Sequence, residues 1–319
     1  MHADKTKLQF RRIAALGLSL GVALCGCSHN STEAQSRVEA AAAPSVSFIA
    51  AWGVKGVGPG QLSDPVDIAT DSVGDAYIVD ADSHYIEKFD RRGTPLLAFE
   101  EDELKHPQAI TVDSGGAIYV TDSGRASATV YFPTGDRFRE LHLRTRPNLE
   151  DKLDVAVEDD GTVQILDTDA SKMFTYTPRF SLLRAWLPAV DGAGSKVRAK
   201  AVANGSDGFV YVADPDSNRI LRFTSDGRFF AALNADSDGQ SRKLSDRIAI
   251  GRGYIFAMDA DGRTLHVFTT DGHPVLDTDL APQLGEAKRF APALAASPEK
   301  ELLVLDTPGT RVLRYRLNF

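Results

Sequence analysis

The amino-acid sequence predicts an all-β protein, a six-bladed β-propeller built from four-stranded antiparallel blades, and three observations support this fold. Short runs of β-branched and aromatic residues alternate with Gly, Asp, Asn and Pro, which is the pattern of strands joined by tight turns. An Asp at the end of the second strand of each repeat recurs at intervals of 42 to 47 residues, a period typical of propellers. No segment keeps a 3.6-residue apolar period beyond a turn or two of helix. These strand-end aspartates are Asp80, Asp122, Asp167, Asp214, Asp259 and Asp306.

The amino-acid composition argues against some classes of function. The chain has 319 residues, of which 43% are hydrophobic, so it can bury a sizeable core. Its formal net charge of −8 argues against a nucleic acid as the main partner, because phosphate binding needs a basic surface. The two cysteines are Cys25 and Cys27, so the repeats can form neither a disulfide nor a thiolate metal site.

The N-terminal residues have the features of an export signal. Residues 1–12 are polar and positive, and residues 13–26 form an uncharged apolar run that is short for a membrane span. We therefore predict a signal peptide over residues 1–26. Residues 27–45 are polar and Ala-rich without apolar periodicity, which predicts a flexible tether.

The end of the apolar run, Leu24-Cys25-Gly26-Cys27, resembles the lipobox of bacterial lipoproteins. The resemblance implies cleavage before Cys27, lipidation of its thiol, and anchoring of the protein in the cell envelope. In a Gram-negative host, Ser28 after the lipidated cysteine implies the outer membrane. The alternative is an ordinary signal peptide, or a single anchor helix, with an incidental cysteine.

The repeats themselves predict how the ring closes. First strands are short and carry small or apolar residues, as expected where blades crowd the axis, and third strands end in an aromatic residue. The last repeat stops after its third strand, whereas residues 46–52 match the fourth strands of other repeats. We therefore expect residues 46–52 to complete the last blade of a monomeric propeller that spans residues 46–319. The third-strand aromatics are Phe89, Phe132, Tyr176, Phe223, Phe268 and Tyr315.

Several stretches resemble NHL repeats over about residues 46–319. The opening Pro65-Val66-Asp67-Ile68-Ala69, the loop Asp216-Ser217-Asn218-Arg219-Ile220 and the lead-in Gly58-Pro59-Gly60-Gln61-Leu62 match that family's pattern. The resemblance implies a six-bladed propeller that binds ligands on the axial face formed by the loops between second and third strands.

Two sets of residues are candidates for a site. The strand-end aspartates could form a ring of cation ligands, but six copies at one position favour a capping role in the following loop. The NHL resemblance implies that the loop after each of them lines a partly basic, aromatic-bearing binding rim, which could take an anionic peptide, glycan or lipid headgroup. The alternative is that these side chains pair with acidic groups of adjoining blades. This candidate binding rim consists of His84, Tyr85, Arg125, Lys172, Asn218, Arg219 and Arg311.

No common catalytic motif stands out, so we expect no catalytic residue, no metal and no cofactor. The predicted function is a lipid-anchored binding or scaffolding module that holds a protein, peptide or glycan, or acts as an assembly factor in an envelope complex. The alternative is a metal-dependent propeller enzyme, similar to the amidating lyases or the lactonases, with its site in the central channel. His106 could approach the axis for such a site, whereas His266 falls in a third strand.

Overall fold

The computed structural model describes residues 43–100, 104–143, 152–190, 197–236, 238–240, 242–284 and 292–319. The predicted signal peptide, Cys27 and most of the tether lie outside these residues. Within them there is no helix long and apolar enough to cross a membrane.

The described residues form twenty-four strands, and one short 3₁₀ turn spans Pro215–Ser217. The first thirteen strands are β1 (Ser45–Trp52), β2 (Pro65–Thr70), β3 (Ala76–Asp80), β4 (Tyr85–Phe89), β5 (Pro95–Glu100), β6 (Pro107–Val112), β7 (Ile118–Asp122), β8 (Ser127–Tyr131), β9 (Arg137–His142), β10 (Leu153–Val157), β11 (Val163–Asp167), β12 (Lys172–Tyr176) and β13 (Leu182–Trp186). The others are β14 (Ala201–Asn204), β15 (Phe209–Asp214), β16 (Arg219–Thr224), β17 (Phe229–Asn234), β18 (Leu244–Gly251), β19 (Tyr254–Asp259), β20 (Thr264–Thr269), β21 (Pro274–Asp279), β22 (Ala293–Ser297), β23 (Glu301–Asp306) and β24 (Arg311–Asn318).

The strands make six antiparallel four-stranded sheets, which confirms the predicted six-bladed propeller. Blades one to five are β2–β5, β6–β9, β10–β13, β14–β17 and β18–β21. Blade six combines β22, β23 and β24 with β1 as its outermost strand. The first strand of each blade lies nearest the axis, and its side chains include small residues such as Ala69, Ala156 and Ala249.

Ring closure by the N-terminal strand is also confirmed. Strand β1 pairs antiparallel with β24, from Ser45 opposite Asn318 to Trp52 opposite Val312. The Trp52 ring packs against Phe89 of blade one, with 4.8 Å between ring centroids. One outer strand thus completes blade six and contacts the next blade, so the first and last strands of the ring are held together.

The core consists of six apolar clusters, one at each interface between neighbouring blades. The cluster between blades six and one joins Leu305 and Val312 to Ile78 and Phe89, for example. The five other clusters join successive blades in the same way. Because apolar burial is the main favourable contribution to folding, the ring is stabilised by contacts between blades more than by any central core.

The second repeat differs from the sequence prediction in one respect. Its third strand ends at Tyr131, which is 1% exposed, and not at Phe132, which is 45% exposed. Ser127 pairs directly with Asp122, so the repeat carries no extra residue in this loop. The buried aromatic lies at the same distance from Asp122 as Phe89 lies from Asp80, and strand alternation turns the next side chain, Phe132, outwards.

The antiparallel blades give the propeller two distinct axial faces. The loop face carries the loops between second and third strands, such as residues 81–84 and 215–218, together with the connections from blade to blade. The turn face carries the turns between first and second strands and between third and fourth strands, such as residues 132–136. The channel mouth discussed below lies where the first strands begin, at the loop face.

Candidate functional site at the channel mouth

The strand-end aspartates accept backbone N–H groups from the loop that follows them, from the connection that leads into their blade, or from both. The Asp80 carboxylate accepts four backbone N–H groups, from Ser63 at 2.7 Å, Asp64 at 3.1 Å, Asp82 at 3.1 Å and Ser83 at 2.9 Å. Backbone N–H groups also donate to the other five carboxylates, which are Asp122, Asp167, Asp214, Asp259 and Asp306. Their oxygens are therefore used within the fold. Asp80, Asp167, Asp259 and Asp306 cap the following loop as predicted, whereas Asp122 and Asp214 bind the connection that leads into their blade.

All residues of the candidate binding rim lie in or directly after loops of the loop face, but their side chains contact their own surroundings. The guanidinium of Arg219 donates to Asp214 at 2.9 Å, and that of Arg311 donates to Asp306 at 2.8 Å. Arg125 pairs with Glu140 at 3.0 Å in its own blade. The three arginines therefore contact carboxylates of the blade that carries them.

Two other rim residues connect one blade to the next. His84 and Asn218 occupy the same left-handed loop position, with φ of 60° and 53°. The His84 Nδ1–H donates to the carbonyl of Leu104 at 2.8 Å, and Asn218 Oδ1 accepts the N–H of Leu244 at 2.9 Å. These side chains thus fix the connection to the following blade.

Tyr85 and Lys172 begin the third strands of blades one and three. The Lys172 ammonium lies 5.2 Å from the centroid of the Phe174 ring. Tyr85 pairs with Glu100 in the β4–β5 register and is half-buried. The residues of the candidate binding rim therefore share the loop face. They lie at the start of third strands or in the loops just before them, and not beside the axis.

The axial channel contains a cavity of about 230 Å³, lined by the six first strands. Strand pairing identifies equivalent residues near the mouth, because each lies opposite the residue that precedes a strand-end Asp. Arg247 belongs to the same position, since it directly precedes Ile248 just as Asp67 precedes Ile68. We call these six residues the mouth ring; from blade one to blade six they are Asp67, Ala109, Asp154, Ala201, Arg247 and Ala293. Charged residues thus occupy blades one, three and five, and alanines occupy blades two, four and six.

The two carboxylates of the mouth ring are held in the same way. Asp67 Oδ2 accepts the N–H of Ile110 in blade two at 2.9 Å. Asp154 Oδ2 accepts the N–H of Val202 in blade four at 2.8 Å. The Arg247 guanidinium lies 3.9 Å from Asp67 Oδ1. Backbone bonds therefore fix both carboxylates, and the single cation of the ring lies next to Asp67.

Electrostatics distinguish the two carboxyl groups. The pKa of Asp154 is raised to about 7, first by burial and second by the neighbouring Asp67 carboxylate, whereas the backbone N–H groups and Arg247 oppose the shift. Burial also raises the pKa of Asp67, where the charge of Arg247 opposes the shift. Near neutral pH the Asp154 carboxyl group is therefore close to its midpoint of titration.

A further polar side chain lines the channel towards the turn face. Asn204 ends the first strand of blade four, and within the described part of the chain neither of its buried amide atoms has a hydrogen-bond partner. In the equivalent position of blade one, the Thr70 hydroxyl donates to the carbonyl of Ala296 at 2.9 Å. Buried polar atoms are normally hydrogen-bonded, so the unpartnered amide of Asn204 is an exception among the described residues.

The mouth ring does not suit a divalent cation. Hard cations such as Ca²⁺ take six to eight oxygen ligands, whereas the ring offers two carboxylates that already accept N–H groups, beside a guanidinium of like charge to the metal. No cluster of three or more His, Cys, Asp or Glu side chains that could hold a metal is found in the described residues. His106 is exposed and does not line the channel, and His266 is buried in β20 with its Nδ1 2.8 Å from Asp277.

Sequence reasoning missed the charged residues of the mouth ring, although a signal exists. Asp67, Asp154 and Arg247 each directly precede the small and apolar first-strand residues, at one position of alternate repeats. The fold alone does not require charge there, because Ala109 and Ala201 fill the same position in other blades.

Comparisons with known proteins establish the fold but no family. No protein-family model and no curated protein matches the chain. Among solved structures, it is similar to a streptogramin B lyase, at 14% identity and a TM-score of 0.62 over 84% of this chain and 97% of that one. It is also similar to virginiamycin B lyase from Staphylococcus aureus, at 13% identity and a TM-score of 0.58 over 82% of each chain. A catalytically inactive form of the latter enzyme with quinupristin gives 14% identity and a TM-score of 0.59 over 85% of each chain.

Proposed function

We propose that the protein is a lipid-anchored binding module of the cell envelope, which holds a protein, peptide or glycan partner at its loop face. The observation that carries this proposal is the charged mouth ring. Asp67, Asp154 and Arg247 interrupt a position where the architecture accepts Ala, and burying charge there is unfavourable unless it is used. These three charged residues depart from the repeated pattern. The channel mouth is therefore the part of the loop face that determines which partner is bound.

The topology is compatible with an anchor at Cys27. Strand β1 runs from Ser45, opposite Asn318, towards the loop face, so its first residue lies at the turn face. A chain tethered through the residues before Ser45 would therefore leave the propeller from the face opposite the channel mouth. Such an anchor leaves the mouth accessible to a partner.

Lipidation is tested by growing the producing bacterium with labelled palmitate. We expect label in the wild-type protein and in the membrane fraction, and neither in a Cys27→Ala variant. A Cys25→Ala variant is the matched control, because it changes a cysteine that lies inside the predicted signal peptide. A wild-type protein that carries no lipid would contradict the anchoring part of the proposal.

The binding face is tested by crosslinking in intact cells followed by purification. We expect the partner recovered with wild-type protein to be reduced by a double variant, Asp67→Asn with Arg247→Gln, which removes the ion pair of the mouth. Asp261→Asn changes an exposed carboxylate of the loop face and serves as the control. Equal recovery from the double variant and the control would exclude the channel mouth as the binding face.

A second candidate function is an enzyme with its site in the same channel. Asp154 favours it, because a carboxyl group with a pKa of about 7 inside a cavity is suited to general acid–base catalysis. The fold is also that of the lyases named above. Incubation with virginiamycin B and mass spectrometry of the product tests this candidate. We expect no turnover. Turnover that is lost in the Asp154→Asn variant would instead identify the protein as an enzyme and contradict the binding module.

A further inference from the structure

The first strand of each blade has one free edge, which faces the channel. It stands at one end of its sheet and pairs only with the second strand. Alternate residues of an antiparallel strand point their N–H and C=O groups to the same edge. The residue after each mouth-ring position lies opposite the residue two places before the strand-end Asp in every blade, so its N–H has the same direction in all six. These residues are Ile68, Ile110, Val155, Val202, Ile248 and Leu294.

The two carboxylates of the mouth ring use four of these N–H groups. Asp67 accepts that of Ile110 in blade two at 2.9 Å and that of the next residue in its own blade. Asp154 likewise accepts that of Val202 in blade four at 2.8 Å and that of the residue after it at 2.9 Å. Each carboxylate therefore binds the channel-facing N–H groups of two neighbouring blades.

The remaining pair of N–H groups belongs to Ile248 of blade five and Leu294 of blade six. The mouth ring supplies no acceptor for them, because Arg247 and Ala293 take the two positions in these blades. Two residues beyond Leu294, the Ala296 carbonyl accepts the Thr70 hydroxyl of blade one at 2.9 Å, which is consistent with this edge facing the channel. Backbone N–H groups at the edge of a sheet are suited to binding an anion.

A cation accompanies this pair of N–H groups. Arg247 Nη1 lies 3.9 Å from Asp67 Oδ1, which is beyond hydrogen-bond distance, and no hydrogen bond between described residues uses the Arg247 guanidinium. Blade six lies between blades five and one, so the Arg247 side chain reaches past the first strand of blade six. A guanidinium together with backbone N–H groups is a donor set that favours a carboxylate.

The charge of the mouth allows one more carboxylate. Asp67 has Arg247 beside it, and the pKa of Asp154 is about 7, so that this carboxyl group can take up a proton near neutral pH. These three are the charged groups of the mouth ring, since the other three blades present Ala at this level. A further carboxylate raises the pKa of Asp154 again, as Asp67 already does, so its binding is coupled to protonation of Asp154.

We propose that the channel mouth binds a carboxylate group, held by the N–H groups of Ile248 and Leu294 and by the guanidinium of Arg247. The bound group joins blades five and six as Asp67 joins blades one and two and Asp154 joins blades three and four. This inference deepens the proposed function and rests on it, because it names the group of the partner that is recognised at the same face. The carboxylate belongs either to the C-terminus of a partner chain or to one of its Asp or Glu side chains.

Titration of the purified protein with butyrate, followed by NMR of the backbone N–H groups, tests the site. We expect saturable shifts of the Ile248 and Leu294 signals, and smaller shifts for Ile110 and Val202, whose N–H groups already donate to carboxylates. Butyramide, a neutral compound of the same shape, is expected to bind about tenfold more weakly or not at all. Equal binding of the two compounds, or butyrate binding without shifts at Ile248 and Leu294, would overturn the assignment.

Two variants are expected to change butyrate binding in opposite directions. Arg247→Gln should weaken it about tenfold or more, because the cation is lost. Asp154→Asn should strengthen it at pH 8, because a negative charge near the ligand is removed, and a gain of affinity does not arise from misfolding. Arg263→Gln and Asp261→Asn change exposed charges in the loop face of blade five and are the matched controls, which should leave binding unchanged. Weaker binding by Asp154→Asn would contradict the proposal.

The pH dependence gives a further readout. Butyrate stays ionised between pH 6 and pH 8, so a change of affinity over this range reports on the protein. We expect the affinity to fall as the pH rises and Asp154 ionises, and to lose this dependence in Asp154→Asn. An affinity of the wild-type protein that rises with pH, or that stays constant, would be evidence against a carboxylate beside Asp154.

Peptides decide the source of the carboxylate. Binding of a tetrapeptide with a free C-terminus, lost when the C-terminus is amidated, indicates a chain end, whereas binding of an amidated peptide with one internal Glu indicates a side chain. Absence of binding by butyrate and by both peptides overturns the inference. In that case, loss of crosslinked partner in the Asp67→Asn, Arg247→Gln double variant would still support the proposed binding face, so the two failures are distinguishable.

Discussion

At the scale of single residues, the molecule uses aspartate in two different ways. Each strand-end Asp accepts backbone N–H groups from the loop that follows it or from the connection that leads into its blade, and the deepest of them are completely buried, as are Asp80 and Asp214. Asp67 and Asp154 instead stand at the start of first strands, bridge to the next blade and face the channel. The first kind repeats in every blade because the loop repeats, whereas the second kind is present only in alternate blades.

Removing a strand-end carboxylate should destabilise the whole ring. We expect Asp80→Ala to lower the free energy of unfolding by about 3 kcal/mol or more, since four N–H groups lose their acceptor. Urea denaturation followed by circular dichroism measures this effect. Asp82→Ala, an exposed carboxylate in the same loop, should cost less than about 1 kcal/mol. Similar losses in the two variants would show that capping does not explain the conservation of Asp among the six repeats.

The raised pKa of Asp154 predicts a stability that depends on pH in a defined direction. The ordinary pKa of an Asp is 3.8 and that of Asp154 is about 7, so the folded protein binds the proton more tightly than the unfolded chain does. The stability due to this group is therefore fully present below the ordinary pKa and is lost as the pH rises towards 7. Asp154→Asn removes this loss. We expect its melting temperature to exceed that of the wild type by a few degrees near pH 8, and by clearly less near pH 5.

Glu87 provides the comparison for that experiment. Burial raises its pKa to about 7 as well, but its carboxylate accepts the N–H of Gly60 at 3.0 Å in the interior of blade one. Wild type and Asp154→Asn share Glu87, so the difference between their melting temperatures isolates Asp154. A difference that is the same at both pH values would mean that Asp154 titrates normally.

At the scale of the strands, neighbouring blades interlock through their outer strands. A large side chain on the fourth strand of one blade lies against a turn glycine of the next blade, as Trp52 lies on Gly93 and Trp186 on Gly227. Both glycines have positive φ, of 86° and 81°, and a side chain at either position would collide with the tryptophan. The closing strand β1 therefore stabilises the ring in two ways: it forms hydrogen bonds with β24, and it places Trp52 against the next blade.

Removal of β1 should therefore abolish cooperative unfolding. Deleting residues 1–52 exposes the edge of β24 and removes the packing of Trp52 on Phe89, which opens the ring. Deleting residues 1–42 alone keeps β1 and is the matched control, for which a single sharp transition is expected. Trp52→Ala should lower the melting temperature without loss of cooperativity. A protein without residues 1–52 that melts as sharply as the control would show that closure by β1 is dispensable.

At the scale of the strands, the sequence predicts the elements well because every repeat contains the same marker, the strand-end Asp, at a nearly constant spacing. The intervals between strand-end aspartates predict the number of blades. The missing fourth strand of the last repeat, together with the match of residues 46–52 to the fourth strands of other repeats, predicts β1 as the closing strand. The same spacing identifies Tyr131, but two adjacent aromatics in repeat two obscure the choice until the register with Asp122 is known. The binding rim was harder to assess, since no pattern in the sequence shows that Arg219 and Arg311 pair with the Asp of their own blade.

The mouth ring depends on geometry that the sequence does not display. Asp67, Asp154 and Arg247 are separated by about two repeats each, and only the circular arrangement of first strands brings them to one level of the channel. Burial and, second, the nearby Asp67 carboxylate raise the pKa of Asp154, whereas Arg247 opposes the shift, and these effects depend on the folded arrangement. A comparison of the repeats can detect that three of them carry a charged residue at this position. The chemistry of these residues depends on the folded ring, which brings them together.

At the scale of the whole molecule, the two axial faces differ in chemistry. The loop face has the charged channel mouth. The turn face carries an aromatic patch in blades two and three, formed by Phe132, Phe138 and Phe180, with 4.8 Å and 5.7 Å between successive ring centroids. Phe180 takes the position that is a turn glycine in four other blades and has φ of 63°, and the Arg139 guanidinium lies 5.6 Å from its ring centroid. Aromatic rings beside arginine suit the interface of an anionic membrane.

If Cys27 is lipidated as proposed, these features predict an orientation for the protein at the membrane. Ser45 begins β1 at the turn face, so an anchor at Cys27 should hold the turn face, with its aromatic patch, nearer the membrane than the loop face. A fluorophore at Thr134→Cys, in an exposed turn of that face, should therefore be quenched strongly by spin-labelled lipids in vesicles that carry the lipidated protein. The same fluorophore at Ala260→Cys, in an exposed loop of the opposite face, should be quenched weakly.

The arginine and the aromatic rings should contribute to that orientation in addition to the tether. Replacing Phe132 and Phe138 by Ser should reduce the quenching at Thr134→Cys, with no change in the amount of protein bound to vesicles, because the lipid still provides the anchor. The control changes Leu96, an exposed hydrophobic on the outer strand of blade one, to Ser. Equal quenching of the two labels in the parent protein would show that the tether leaves the propeller free to turn, and that the channel mouth is not consistently directed away from the membrane.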